Sequence, residues 1–443
     1  METTKLSSET GTQSIQRIDV AWERSETTIF TKYSNFNDLD EINKLPKCLS
    51  PIHFIWKLSA FTWHTNQDST IAWSIWVWIY RIFTVAFAVL VFFPGYFDGA
   101  NSLLTWAEET PSFIVRYTLI ATNSCHAFIS VYPLFFACHY ILNGHLHRLL
   151  QNLVSTKYID AEYINNELFH CIQRKTNRLR WAIWFIVAIE FVGWTIQNEV
   201  TNPNTPYWII MSAVWPFCWA IFKFLPFVAG LSVFVVVLEV LRIEKELYIQ
   251  QIAAAGNTCR CKENKLYFVF HDVEISNVTE FQSKEEMEKH LNDSYLNLVG
   301  LCNIHGALWK WYVILLVASM ITSLLCCASL LYFCKTPPWG GVVMIPSVYV
   351  VLVLMLLYEL ADLNATTQET LMLLSAVRLG ECSTQNQMIK MMEYNGVQIT
   401  CAGLVIRYNT VNAVAVTGIG LVVTSLIQSY IENGGWQTMD VSR

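Results

Sequence analysis

The sequence predicts an all-α membrane protein: a seven-transmembrane helical bundle with its N-terminus inside, its C-terminus outside and helical extensions reaching into the cytoplasm. Three observations predict it. Seven long apolar stretches recur along the chain, the composition is 53% hydrophobic and only 14% charged, and the basic residues between the stretches gather on one side. A mean hydropathy of +0.35 also lies above that of ordinary soluble domains of this size.

The apolar stretches cover residues 71–97, 113–142, 181–197, 207–241, 309–334, 341–361 and 409–431. Counting Lys310 at the inner edge of the fifth, 24 of the 29 Lys and Arg residues belong to the side that holds 1–70, 143–180, 242–308 and 362–408. The opposite side has two, Lys335 and Arg443. Basic residues in short loops stay in the cytoplasm, so residues 1–70 are read as a cytoplasmic tail, 71–431 as the seven-span domain and 432–443 as a short extracellular tail. A G-protein-coupled receptor has seven helices in the opposite orientation, and this charge distribution argues against that class. The first 50 residues lack a basic segment followed by a short apolar core and a cleavage site, so insertion is expected to start from the first span. A net charge of -6 without a dense basic run gives no footprint for nucleic acid.

The fourth stretch, 35 residues from Tyr207 to Leu241, reads as one helix. Two crossings need about 40 apolar residues and a turn, and Phe222-Lys223-Phe224 supplies no turn residues. One helix of that length reaches about 52 Å and is expected to project into the cytoplasm, bent at Pro216 and Pro226.

Cysteine and histidine usage points away from disulfides and metals. Six of the 13 cysteines lie in spans and seven in inside segments, so no outer-loop pair can form a structural disulfide. Cys259-Arg-Cys261 lacks a second pair or a histidine at ligand spacing. His139, His145 and His147 at the inner end of a span read as interfacial polar residues, and no cofactor is implied. The sequons at Asn277, Asn292 and Asn364 fall in inside segments, so glycosylation is not expected.

Ser283-Lys-Glu-Glu286 fits a capping box and starts a helix. Met287, Leu291, Leu298, Leu301 and Leu308 then recur at three- and four-residue spacing into the fifth span. This stripe is expected to pack against the extended fourth span, because a long apolar face needs a partner. Leu371–Leu379 and Met388–Met392 read as further helices of the same cytoplasmic bundle.

Charges inside the apolar stretches are costly. Arg81 lies ten residues into the first span from the inside and Glu190 nine residues into the third, depths matched to about 14 to 15 Å. An intramembrane ion pair between them is expected, since pairing offsets desolvation. Lys223, toward the inner end of the fourth span, and Arg116, near the outer end of the second, read as snorkelling side chains.

The seventh span has another character. Thr417, Gly418, Gly420, Thr424, Ser425, Gln428 and Ser429 give it small and polar residues, and Gln428, Thr424, Leu421 and Thr417 share one helical face. A polar stripe in lipid needs water or protein beside it. Either this helix lines a conducting path, or it packs tightly through its small residues.

With this topology the chain resembles the insect gustatory and odorant receptor superfamily, and within it the nematode gustatory-receptor-like proteins of the serpentine receptor class r type. The resemblance covers most of residues 50–431: an inside N-terminus, seven spans, a long fourth helix, cytoplasmic extensions and a short outside tail. Locally, Val397-Gln-Ile-Thr-Cys-Ala-Gly403-Leu-Val-Ile is similar to the segment before that family's last helix. The last helix of the family carries Thr-Tyr, five apolar residues and Gln-Phe, and of these fixed positions this chain keeps Gln428.

The resemblance implies a chemosensory receptor of the cell membrane that acts as a ligand-gated cation channel subunit, assembled as a homo- or heterotetramer in the bilayer. It implies a last helix that lines the pore, placing Gln428, Thr424, Ser425, Ser429 and Thr417 there. Ser425 and Ser429 stand where the family commonly has apolar side chains. A small-molecule stimulus would enter among the first six helices, where Tyr117, Trp194, Trp208, Trp215 and Tyr349 are available aromatics. Asp98, Glu108, Glu109, Glu199, Glu432 and Asp440 on the outer side favour cations. Some members of the nematode group respond to light or peroxide, a reading the 17 Trp residues leave open. A seven-helix receptor that signals through protein partners without conducting is the other open class. A transporter would show internal repeats or broken helices with midplane charge pairs, and an enzyme would show a nucleophile, zinc or phosphate motif. The sequence has none of these.

The topology is tested by tags. A C-terminal tag should be labelled on intact cells and an N-terminal tag only after permeabilisation. The reverse labelling would reject the inside N-terminus.

Overall fold

The computed structural model describes residues 49–61, 71–97, 113–154, 169–201, 214–258, 268–270, 273–275, 284–333, 344–376, 390, 399–401 and 404–432. Over them the chain is a helical bundle with two minimal two-stranded ladders in its connections, which the all-α reading did not anticipate. Among the described residues, five helices are long and apolar enough to cross a membrane: Tyr117–Ile141, Pro216–Ile249, Lys289–Tyr332, Ser347–Ala365 and Tyr408–Gln428.

The first helix, α1 (Ser50–Leu58), lies within the segment read as a tail. It starts on Pro51, whose fixed φ suits a first turn. Ile52, Ile55 and Trp56 form its buried face while Phe54 points outward. Trp56 Nε1 donates to Ser232 Oγ at 2.8 Å, which seats α1 in the bundle. Its end is closed by N–H groups of Phe61 and Ala60 that bond the carbonyls of Trp56 (2.8 Å) and Lys57 (3.1 Å). Ala60 takes the left-handed conformation (φ 58°) that glycine normally fills at such an end, at a cost of about 1 kcal/mol.

Helices α2 (Ile71–Phe97) and α3 (Phe113–Leu142) follow, and α3 turns at Asn143-Gly144 into the amphipathic α4 (His145–Val154). Gly144 has φ 70°, a conformation that admits this tight reversal. Tyr140 Oη meets His305 Nδ1 at 2.7 Å and its ring stacks near His145, so this elbow is fastened to the bundle. Helix α5 (Phe169–Thr201) begins well before the apolar stretch that marks it in the sequence.

From residue 214 the fourth stretch is one continuous helical path, in three pieces, and residues 207–213 of it lie outside the described residues. A turn, α6 (Trp215–Cys218), passes into a π-helical segment (Trp219–Phe224) and then into α7 (Leu225–Thr258). Pro216 and Pro226 bracket the wide turn. Proline 226 offers no N–H to the preceding helix, and the loosened backbone presents the Ile221 carbonyl to Tyr80 Oη at 2.7 Å.

After a short ladder of β1 (Phe268–Phe270) and β2 (Val273–Ile275), α8 runs unbroken from Lys284 to Phe333, about 75 Å of helix. Its start falls one residue past Ser283, which itself lies outside the described residues. Leu291, Leu298 and Leu301 are buried, and Tyr295 meets Tyr248 of α7 with ring centroids 5.9 Å apart, so the two extensions pack together. Helix α9 (Met344–Ala376) takes in the first part of the Leu371–Leu379 segment, whereas Met388–Met392 falls almost wholly outside the described residues. A second ladder, β3 (Thr400–Cys401) with β4 (Leu404–Val405), leads into the last helix, α10 (Tyr408–Glu432).

The core is built around α7, whose residues 223–241, counting the end of the π-helical segment, are all buried. Its closest neighbour is α3. A Cβ placed on Gly230 would lie 2.5 Å from Cβ and 2.7 Å from Cγ of Pro133, a rigid ring on a bent helix. Gly230→Ala should therefore push α3 and α7 apart and cost about 1 to 3 kcal/mol, read as a lower melting temperature of the detergent-purified protein. An unchanged melting temperature would show that the helices are not in this contact.

Candidate functional site

The π-helical segment turns two polar side chains into the bundle. Its wide turn stacks Lys223 on Trp219, four residues earlier, with Nζ 3.4 Å from the ring centroid. On the other side of the segment Phe222 packs against Phe83, stacked at 5.6 Å, and against Tyr80 and Phe87 of α2. The aromatic rings of α2 thus hold the segment in place while Lys223 faces inward with only 1% of its surface exposed.

Glu190 of α5 is equally buried and is the charge that Lys223 meets, with Trp219 beside both. Neither carboxylate oxygen of Glu190, nor Nζ of Lys223, makes a hydrogen bond among the described residues. The two groups are not in ion-pair contact; they act on each other by Coulomb attraction at longer range, while Lys223 rests on the indole face of Trp219. In a low-dielectric interior this offsets a good part of the desolvation cost, but leaves hydrogen-bonding capacity unused.

A second set of polar groups adjoins this pair. His126 of α3 brings Nε2 to 2.9 Å from Ser323 Oγ of α8. Its ring stacks on Tyr349 of α9 at 3.8 Å with an interplanar angle of 12°. Tyr349 is stacked on its other side by Phe227 (4.8 Å) and met edge-on by Phe224 (5.2 Å). Lys223 acts electrostatically on His126, and Glu190 on Tyr349, which joins the two sets into one cluster. The phenol oxygen of Tyr349 also has no hydrogen-bond partner among the described residues. Six elements, α3, α5, the π-helical segment, α7, α8 and α9, thus converge on a buried, aromatic-walled centre in which two acceptors on Glu190 and donors on Lys223 and Tyr349 have no hydrogen-bond partner among the described residues.

The expected Arg81–Glu190 pair is not formed. Arg81 Nη2 donates to Ala60 O at 3.0 Å and to Cys138 Sγ at 2.8 Å, so it fastens the end of α1 to α2 and α3. Matched depth was a sound inference, but depth says nothing of rotation about the helix axis, and α2 turns Arg81 away from α5. The snorkelling reading of Lys223 is likewise corrected, because the π-helical turn aims it into the protein. A lysine four residues after a tryptophan, bracketed by two prolines, was the sequence signal for this geometry.

Of the aromatics proposed for a ligand site, the structure brings Tyr349 into the cluster. Tyr117 is largely exposed on α3. The side chains of Trp194 and Trp215 lie outside the described residues, as do Arg116's side chain and the whole of Trp208. On α10 the polar residues divide between two faces. Ser425 is buried and donates to its own helix at Leu421 O (2.9 Å), in correction of its grouping with the pore-lining residues. Gly418 sits on the buried face too, where an added Cβ would come within 2.7 Å of Leu324 of α8. Thr417 and Thr424 are exposed, Gln428 is half-buried, and the Ser429 side chain lies outside the described residues. Gly418 and Ser425 thus share the packed face of the helix, and Thr417 and Thr424 lie off it.

No protein-family profile matches this chain. No curated protein matches it at a significant level of sequence similarity either.

The buried pair is tested by exchange of charge for neutral shape. Lys223→Met alone should leave Glu190 uncompensated and cost roughly 3 to 5 kcal/mol, seen as loss of monodisperse protein on size exclusion. Combining it with Glu190→Gln should recover much of the loss. If Arg81→Met rescues Glu190→Gln instead, the partner assignment is wrong.

Proposed function

We propose that this chain is a chemosensory, gustatory-receptor-like membrane protein, a ligand-gated cation channel subunit of the superfamily its topology resembles. In this reading α2, α3, α5, α6 with α7, α8, α9 and α10 are the seven spans, with the N-terminus inside and the C-terminus outside. Subunits assemble as a homo- or heterotetramer in the cell membrane around a pore lined by α10. The stimulus is a small molecule received at the buried cluster of Glu190, Lys223, His126 and Tyr349.

The observation that carries the reading is the contrast between α10 and the other apolar helices. Only 17% of its apolar window is buried, against 44% to 100% for the other four helices that are long enough to cross a membrane. A helix left at the edge of its own bundle, with Thr417 and Thr424 on the exposed side, suits a surface completed by other subunits and by water. Its exposed Val416, Ile419, Val423 and Ile427 supply the apolar part of such a surface. Acidic residues at the outer ends, among them Glu199 and Glu432, favour the entry of cations.

Cysteines placed singly from Thr417 to Ser429 test this. Positions 417, 424 and 428 should react with an external water-soluble thiol reagent and alter current as they do so, while Gly418 and Ser425 should be protected. Gln428→Lys should reduce cation current without lowering surface protein. Uniform protection in protein that reaches the surface and responds to a stimulus would leave a receptor that signals without conducting.

A further inference from the structure

The inner end of α10 is attached to α9 by a set of side-chain hydrogen bonds that no part of the functional reading uses. Asn364 of α9 is buried, with 4% of its surface exposed. Its amide nitrogen donates to the carbonyls of Ile399 (3.2 Å) and Ile406 (2.9 Å), and its amide oxygen accepts the Ile399 N–H at 2.9 Å. Ile399 and Ile406 flank the β3–β4 ladder, in which Thr400 pairs with Val405 and Cys401 with Leu404. One side chain therefore adds a rung at the base of the hairpin and uses both of its donors to do so. The hairpin also rests on α8, where Ile399 Cγ2 lies 3.5 Å from the Cβ position of Gly306.

Two residues past Ile406 the last helix begins, and its first turn is joined to α9 twice more. Tyr408 Oη donates to Asp362 Oδ1 at 2.6 Å, and Tyr358 Oη donates to Asn412 Oδ1 at 2.5 Å. Residues 358 and 362 are one turn apart on α9, as are 408 and 412 on α10. Each helix thus gives one phenol and one acceptor to the other across an antiparallel pair, with the two tyrosine rings 6.3 Å apart. The same stretch of α9 is tied to the helices that carry the buried cluster. Lys175 of α5 bonds Glu359 at 2.7 Å, and Lys245 of α7 donates to Leu363 O. Movement of α5 or α7 against α9 is thereby applied at the turns of α9 that hold α10.

We propose that Asn364 and the reciprocal pairs Tyr358–Asn412 and Asp362–Tyr408 are positioning residues: they fix the inner end of α10 against α9, and so set how often the helix leaves its resting position. The inference rests on the reading of α10 as the gating helix. It also accounts for Asn364 in its sequon, since the nitrogen that would carry a glycan is spent on two carbonyls.

The test uses full-length protein in nanodiscs and planar bilayers. Tyr358→Phe with Tyr408→Phe removes both donors at half-exposed sites, where folding should survive; Asn364→Asp keeps the acceptor and removes both donations to the hairpin. Spin labels on α9 and on the inner half of α10 report their separation, and unstimulated sodium current reports openings. Both variants should broaden the α9–α10 distance distribution and raise unstimulated openings about fivefold or more. A wild-type distance distribution in the folded double variant overturns the proposal, as does a broadened distribution with unchanged openings. If wild type and variants alike carry no current under any condition, it is the channel reading that fails, and the distance distribution alone judges whether these residues position α10.

Discussion

Enclosure of residues 223–241 is the constraint on which the other packing decisions depend. A stretch of helix without an outward face has no solvent or headgroup in which to place a polar side chain, so a polar group there needs a partner within the protein. Ser232 is met by Trp56, Glu239 by Lys175 (3.6 Å) and Arg242 (2.8 Å), and Lys245 by the Leu363 carbonyl. These demands explain why α1 is drawn into the bundle and why the lower parts of α5 and α9 approach α7. The approach of α3 has a steric cause instead, the absence of a side chain at Gly230 opposite the ring of Pro133.

Lys223 and Glu190 depart from that pattern, as do Glu244 Oε1 and Tyr248 Oη of α7. Lys223 and Glu190 act on each other in the protein interior without ion-pair contact, and the hydrogen-bonding capacity of both is unused among the described residues. Proteins rarely leave buried charge so incompletely satisfied unless the arrangement serves something besides stability. The π-helical segment carries Lys223 on the face of Trp219 and leaves a carbonyl open for Tyr80. The same distortion therefore locks α2 from one side and exposes a polar centre on the other.

The last helix shows the opposite solution. It is held by its inner turn and by a narrow seam of small residues against α8, and most of its length is open. The bundle thus contains one helix whose apolar window is fully buried among its neighbours and one that lies at its edge.

How much of this was legible in the sequence can be followed residue by residue. The bounds of α2 and α3 coincide with the apolar stretches at 71–97 and 113–142, and the start of α8 follows from the pattern around Ser283, because hydrophobic periodicity and capping are local properties. The continuous helix through Pro216 and Pro226 was legible for the same reason, but the π-helical segment between them was not. A fixed rise per residue also places each charge along its own helix. It could not give azimuth: whether Arg81 or Lys223 faces Glu190, or whether Ser425 shares a face with Thr417, depends on how each helix is rotated against its neighbours. That rotation is settled only when all the side chains of several helices compete for one interior. The tertiary structure therefore decided the identity of the buried pair, the docking of α1 and the clasp at Asn364, since each joins residues far apart in the chain.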